Sequence, residues 1–135
     1  MEIITQKVEN LPVYIFNTRE EMGVQSAADA AKIINEVIAK NGVANVVFAA
    51  APSQNEVLAE LCTYTDLAWD RVNAFHMDEY IGLSPDAPQG FGNFLRRAIF
   101  DKVNFKELHF LLCDADKAEE KCEEYTALLK EYRQI

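Results

Sequence analysis

The sequence has little of what marks secreted, metal-binding or membrane proteins. It contains three cysteines, Cys62, Cys113 and Cys122, with no CxxC spacing, so no disulfide framework is indicated. Residues 1–5 lack the charged start and long apolar stretch of a signal peptide. No apolar run approaches the length of a membrane span. We therefore expect reduced thiols and a cytoplasmic protein.

Positive charge is also scarce. Thirteen basic against 22 acidic residues give a net charge of −9, which argues against a nucleic-acid or anionic-membrane partner, because both attract basic patches. Glycine-rich nucleotide fingerprints are missing, and neither His76 nor His109 has a neighbouring residue that would complete a metal site. We therefore expect no cofactor and no metal. A small anionic metabolite stays open as a partner, since a few amides and one or two cations can bind a phosphate.

What the sequence does have is a regular alternation of short apolar runs and longer stretches with helical spacing. The runs predict strands at residues 13–16, 45–50, 72–75 and 108–113. The stretches predict helices at residues 18–40, 53–64, 91–102 and 116–132. Three of these helices begin with a capping-box pattern, Thr18 with Glu21, Ser53 with Glu56 and Asp116 with Glu119.

This alternation predicts an α/β fold, a three-layer, doubly wound, mostly parallel sheet with helices on both faces, of the Rossmann-like kind. The length suits one domain over residues 1–135. The chain reaches Ile135 directly after the fourth helix, where such a series would enter its next strand, so we expect the sheet to be truncated. An unpaired sheet edge favours self-association, so a homo-oligomer is expected as well.

Two adjacent carboxylates, Asp78 and Glu79, follow the third apolar run. Open α/β folds place their chemistry at this end of the strands, so one carboxylate is a candidate general base. Adjacent residues of an extended chain point to opposite sides, so at most one of the two faces a substrate, and the other holds the loop. The alternative is that the pair merely caps a turn. The loop at residues 82–90, with Pro85 and Pro88, is interpreted as part of the site.

A second candidate site lies between the second apolar run and its helix. Small residues before a helix let an anion approach the free amides of its first turn. Ser53 would donate its hydroxyl to a bound phosphate; alternatively, Ser53 is an ordinary helix cap paired with Glu56, whose charge would compete with an anion. The candidate segment is Ala51, Pro52, Ser53 and Gln54.

Residues 75–83, Phe-His-Met-Asp-Glu-Tyr-Ile-Gly-Leu, resemble the Met-Asp-Glu-Tyr-x-Gly-Leu signature of glucosamine-6-phosphate deaminases (isomerases). These enzymes share a superfamily with 6-phosphogluconolactonases. The likeness extends forward through residues 90–97 and backward through 45–61, so most of the chain fits. The resemblance implies conversion of an amino-sugar phosphate from aldose to ketose with release of ammonia, without a cofactor. A 6-phosphogluconolactonase-like hydrolase and a non-catalytic sugar-phosphate-binding domain are the alternatives.

The resemblance also implies roles for individual residues. Asp78 takes the position of the base that transfers a proton from C2 to C1 of the sugar. Residues 51–54 align with the phosphate loop, with Ser53 as the contacting hydroxyl, and Glu79 and Tyr80 belong to the substrate-binding segment beside the base, where they shape its loop. The partner implied is a small-molecule sugar phosphate.

The chain departs from the family pattern at two places. Its phosphate loop reads Ala-Pro-Ser-Gln where the family has Gly-Gly-Thr-Pro, and a proline removes an amide donor. The family's Gly-x-Asp-Gly-His segment, which serves ring opening, and the C-terminal basic residues that clamp the phosphate do not occur in these residues. We therefore expect the chain to be the N-terminal half of an enzyme domain, with little or no turnover on its own.

Overall fold

The computed structural model describes residues 3–133. Its central sheet has three parallel strands in the order β3-β4-β5, which span Ala44–Phe48, Val72–His76 and Glu107–His109. Four helices accompany it: α1 over Arg19–Asn41, α2 over Asn55–Leu61, α3 over Phe91–Leu95 with a π-helical continuation over Arg96–Phe100, and α4 over Ala118–Glu131. The parallel sheet and its helices confirm the predicted α/β, Rossmann-like class.

The two faces of the sheet carry different helices. Val72 and Ala74 of β4 point toward a core formed with α1, α2 and α3. Because side chains alternate along a strand, Phe75 points to the opposite face, where its ring lies 6.0 Å from that of Tyr125 in α4. Helices therefore cover both faces, as expected.

Helix α1 follows its sequence signals closely. The Thr18 hydroxyl accepts from the Glu21 N–H at 3.1 Å, and the helix ends at Gly42, whose φ of 82° suits glycine. The face turned to the core carries small and branched apolar residues, Ala27, Ala31, Ile34 and Ile38. Gly23 permits a close crossing, because a Cβ there would lie 2.6 Å from the Glu56 Cβ in α2.

The other two predicted capping boxes are wrong. Ser53 lies in a 3₁₀ turn, Pro52–Gln54, and α2 begins only after it. Glu56 is instead bound by Arg19, whose guanidinium is a stronger partner than a serine cap. Asp116 likewise falls inside a 3₁₀ turn, Ala115–Lys117, so its backbone is not at a helix cap. Both helices start without a side-chain cap.

The expected first strand, at residues 13–16, does not join the parallel sheet. It is part of an antiparallel hairpin of β1, Ile4–Val8, and β2, Leu11–Ile15. One face of this hairpin is apolar yet open to solvent, because Ile4, Val8, Leu11 and Ile15 are 43–64% exposed. The error has a physical cause: an exposed ribbon and a buried strand share the same β-branched composition.

Two buried asparagines mark the pairing of β3 with β4. Asn45 lies opposite Asn73, and the Asn73 Nδ2 donates to the Asn45 Oδ1 at 2.9 Å. Asn73 is 2% exposed, in a strand whose residues are all buried. Within residues 3–133, no helix is long and apolar enough to cross a membrane.

Candidate active site

The candidate site lies at the carboxyl edge of the parallel sheet. β4 ends at His76, and the next amide, Met77 N–H, continues the ladder by donating to the Phe48 carbonyl at 3.0 Å. The loops that follow β3 and β4 therefore leave the sheet side by side. This edge is where parallel α/β sheets bind their ligands.

The two carboxylates that follow β4 have different environments. Glu79 turns toward α3, where its carboxylate accepts from the Phe91 N–H at 2.8 Å and the Gly92 N–H at 2.9 Å. It also accepts from the Tyr80 N–H at 3.0 Å. The amides of Phe91 and Gly92 belong to the first turn of α3 and lack partners within the helix, so Glu79 acts as the N-terminal cap of α3.

Asp78 is the free member of the pair. Its side chain is exposed, and its carboxylate accepts no hydrogen bond from the part of the chain that the structure describes. Its carbonyl, in contrast, is held at 2.9 Å by the Nδ1 of His76. The geometry thus assigns the loop-holding role to Glu79 and leaves Asp78 open to a ligand.

A cleft of about 480 Å³ adjoins this turn, between the sheet edge and α4. Asp78, Glu79 and Tyr80 border it, and the Tyr80 ring leans on Phe91 at 4.7 Å between centroids. Most of the remaining wall is apolar and includes Val47, Ile81, Leu111, Tyr125 and Leu129. Residues 51–54 do not line it, so the structure brings together one of the two predicted segments at this cleft and not the other.

The predicted phosphate segment is fixed by a residue that sequence reasoning missed. Arg19 donates through Nη2 to the Pro52 carbonyl at 3.0 Å and binds both Glu56 oxygens at 2.8 and 2.9 Å. The hydrogen bond from Arg19 lowers the pKa of Glu56, whose charge is thereby paired. A signal did exist: a cation in the first turn of a helix opposes the helix dipole, which indicates a specific partner.

A sequence profile of the family described as glucosamine-6-phosphate isomerases/6-phosphogluconolactonase matches residues 17–134. The chain belongs to this family. It is 33% identical over 111 residues to a glucosamine-6-phosphate deaminase of Lactobacillus acidophilus, covering 82% of this chain and 46% of that protein. A glucosamine-6-phosphate deaminase of Streptococcus pneumoniae is 30% identical over 112 residues, with 83% and 47% covered. The chain thus spans about half the length of the curated relatives it matches.

Two solved structures of the family show the same fold. A monomeric glucosamine-6-phosphate deaminase matches with a TM-score of 0.73 at 20% identity, over 88% of this chain and 50% of that one. A 6-phosphogluconolactonase from Shewanella baltica matches with a TM-score of 0.72 at 18% identity, over 84% and 48%. The suspected family resemblance is confirmed, and both branches of the family share this architecture.

Other polar side chains around the site have partners within the protein. Arg97 donates to the Pro88 carbonyl at 3.0 Å and so ties down the loop at residues 82–90. Arg96 lies over the Phe110 ring at 4.1 Å. His109, on the edge strand β5, stacks on Phe75 and contacts Glu107 through Nε2 at 2.9 Å. In the described residues, no three His, Cys, Asp or Glu side chains are placed to hold a metal ion.

Proposed function

We propose that the natural protein containing this chain deaminates and isomerises glucosamine 6-phosphate. The sequence relatives named glucosamine-6-phosphate deaminase, at 30–33% identity, support this substrate class. The proposal is carried by the different environments of the two carboxylates that follow β4. Glu79 is committed to capping α3, whereas the adjacent Asp78 carboxylate is exposed at the cleft and accepts no hydrogen bond from residues 3–133.

The chemistry requires one base that can both take and return a proton. Asp78 would remove the proton from C2 of the open-chain amino sugar and return it to C1. The C1 oxygen gains a proton and the nitrogen loses one, so the aldehyde at C1 becomes an alcohol and the amine at C2 becomes an imine. Water then adds to the imine carbon and ammonia leaves, so glucosamine 6-phosphate and water give fructose 6-phosphate and ammonia. A carboxylate without competing partners can make both transfers.

The phosphate would bind at the loop after β3. In this proposal the Ser53 hydroxyl and the amides of Ala51 and Ser53 hold it, while Pro52 shapes the turn and offers no amide donor. The Gln54 N–H donates to the Ala51 carbonyl at 2.9 Å and so closes that turn. The pairing of Glu56 with Arg19 supports this site, because it offsets a negative charge at the start of α2. Tyr80, at the border of the cleft, would contact the sugar, and Glu79 would contribute by shaping the loop.

The test is an assay of the protein at its natural length for ammonia and ketose phosphate from glucosamine 6-phosphate. Asp78→Asn should lower turnover by about 10²- to 10⁴-fold, the usual contribution of a general base. Asp101→Asn, at another exposed aspartate, is the matched control and should leave turnover unchanged. Wild-type-like turnover by Asp78→Asn would refute the assignment of the base.

A second assay separates this proposal from its alternatives. The same protein is given 6-phosphogluconolactone, and acid release is followed. Lactone hydrolysis without ammonia release from the amino sugar would replace the proposal with a lactonase function. Sugar-phosphate binding with neither reaction would indicate a binding domain.

A further inference from the structure

His76 is the last residue of β4 and the start of the turn that carries Asp78. Its side chain is 1% exposed, yet both ring nitrogens have partners. Nε2 lies 2.9 Å from the Leu111 amide nitrogen, and Nδ1 lies 2.9 Å from the Asp78 carbonyl oxygen. An amide N–H can only donate and a carbonyl can only accept, so Nδ1 carries the proton and Nε2 accepts. The two contacts require one neutral tautomer.

The main chain of His76 is anchored independently of its ring. Its N–H donates to the Tyr125 hydroxyl at 3.0 Å, and that hydroxyl lies 3.1 Å from the His109 carbonyl, to which it can donate. On the other side, the Met77 N–H is bound to the Phe48 carbonyl. The ring therefore projects from a backbone that is tied to β3, β5 and α4 at once.

We infer that His76 is a positioning residue, whose Nδ1–H holds the Asp78 carbonyl and thereby fixes the backbone from which the Asp78 carboxylate projects. The carboxylate has no side-chain or amide partner among residues 3–133, so its direction depends on its backbone. The hydrogen bond from His76 anchors that backbone immediately before Glu79 anchors the next segment to α3. The consequence for catalysis rests on the proposed function, but the anchoring does not.

The burial of the ring supports a neutral imidazole. Desolvation lowers the pKa of His76 below its ordinary value, against the opposing effects of the Asp78 carbonyl and the charges of Glu79 and Asp78. Protonation would place a second N–H against the Leu111 N–H, which is already a donor. The hydrogen-bond pattern and the burial therefore favour the same state.

Two substitutions separate positioning from mere packing, because each keeps one half of the ring's contacts. In His76→Asn, the side-chain NH₂ takes the place of Nδ1–H and can still donate to the Asp78 carbonyl. In His76→Gln, the amide oxygen takes the place of Nε2 and can still accept from the Leu111 N–H. Each variant loses one buried hydrogen bond, so both should show a similar fall in Tm relative to wild type.

The closing experiment measures both variants in the protein at its natural length. NMR should show wild-type His76 protonated on Nδ1 only, and the carbonyl ¹³C shift of Asp78 should move in the Gln variant and stay near wild type in the Asn variant. In the ammonia-release assay, His76→Gln should lower kcat about 10- to 100-fold with little change in KM, as expected for a misplaced reacting group. His76→Asn should retain most of kcat.

The outcomes are distinguishable from failure of the proposed function. If the wild-type protein releases no ammonia, the proposed function fails, and the two NMR measurements still decide whether His76 holds Asp78. Protonation on Nε2, an unchanged Asp78 carbonyl shift in His76→Gln, or equal losses of kcat in both variants would overturn the inference.

Discussion

Replacement of Glu79 by alanine tests whether this carboxylate holds the structure together or contacts the substrate. In the folded protein it accepts from the N–H groups of Phe91 and Gly92 in the first turn of α3. Those bonds span 12 and 13 residues, so they close the whole loop between β4 and α3. Gly92 leaves room for the carboxylate, since a Cβ there would lie 3.3 Å from the Glu79 Oε2.

The expected loss of stability follows from these contacts. Removal of a side-chain cap costs about 1 kcal/mol, and the favourable charge at a helix N-terminus adds about 0.3–1 kcal/mol. Because Glu79 caps two amides that are partly buried, we expect Glu79→Ala to lower the free energy of unfolding by about 2–3 kcal/mol. For a chain of this size that corresponds to a fall in Tm of roughly 6–12 °C.

The assay is urea unfolding monitored by circular dichroism, with two matched controls. Glu79→Gln keeps one acceptor oxygen but no charge, so it should lose about half as much stability. Asp78→Asn changes an exposed carboxylate without partners and should stay within about 0.5 kcal/mol of wild type. If Glu79→Ala were as stable as Asp78→Asn while its KM for the sugar phosphate rose, the capping argument would be refuted and Glu79 would be a substrate contact.

Two further predictions concern packing and pH. Gly23→Ala should destabilise the protein by about 1–3 kcal/mol in urea unfolding, because its Cβ would lie 2.6 Å from the Glu56 Cβ and force α1 and α2 apart; Lys32→Ala, on the exposed side of α1, is the control and should change little. Burial lowers the pKa of His76 below 6.5, so the unfolded chain binds the proton first as pH falls. The stabilisation from burying the neutral His76 ring is therefore fully present above pH 6.5. As the pH falls below 6.5, this part of the free energy of unfolding should decline by up to about 1.4 kcal/mol per pH unit until the pKa of His76 in the folded state is reached. The difference in unfolding free energy between wild type and His76→Asn should therefore shrink below pH 6.5, and parallel pH profiles would contradict this.

Signals within short stretches of the sequence predicted α1 and β4. The apolar stripe, the Thr18 cap and Gly42 defined α1, and the apolar run before Asp78 defined β4. Strand alternation also predicted that only one of Asp78 and Glu79 would be free, although not which one. The family signature singled out Asp78 as the base, which stays a prediction, and the structure shows that Glu79 is the one that caps α3.

The features that sequence did not predict depend on long-range contacts. The Arg19–Glu56 pair joins residues 37 apart and displaced the expected serine cap. His76 reaches Leu111, 35 residues away, once β5 has ended at His109. The hairpin of β1 and β2 escaped prediction because its apolar face is not buried against the described core, so composition alone could not separate it from a sheet strand.

The asparagine pair between β3 and β4 has a consequence for how the chain avoids misfolding. A slip of β3 by two residues would keep every side chain on its own face and would place Asn45 opposite Phe75. The apolar side chains could still pack in the shifted alignment, but the side-chain amides of Asn45 and Asn73 would lose each other as partners in the interior. Each loss would cost about 1–3 kcal/mol of stability. The pair therefore stabilises the observed alignment of β3 and β4 relative to alignments shifted by two residues. In this way it fixes the distance between Asp78 and the loop after β3 already in the free protein.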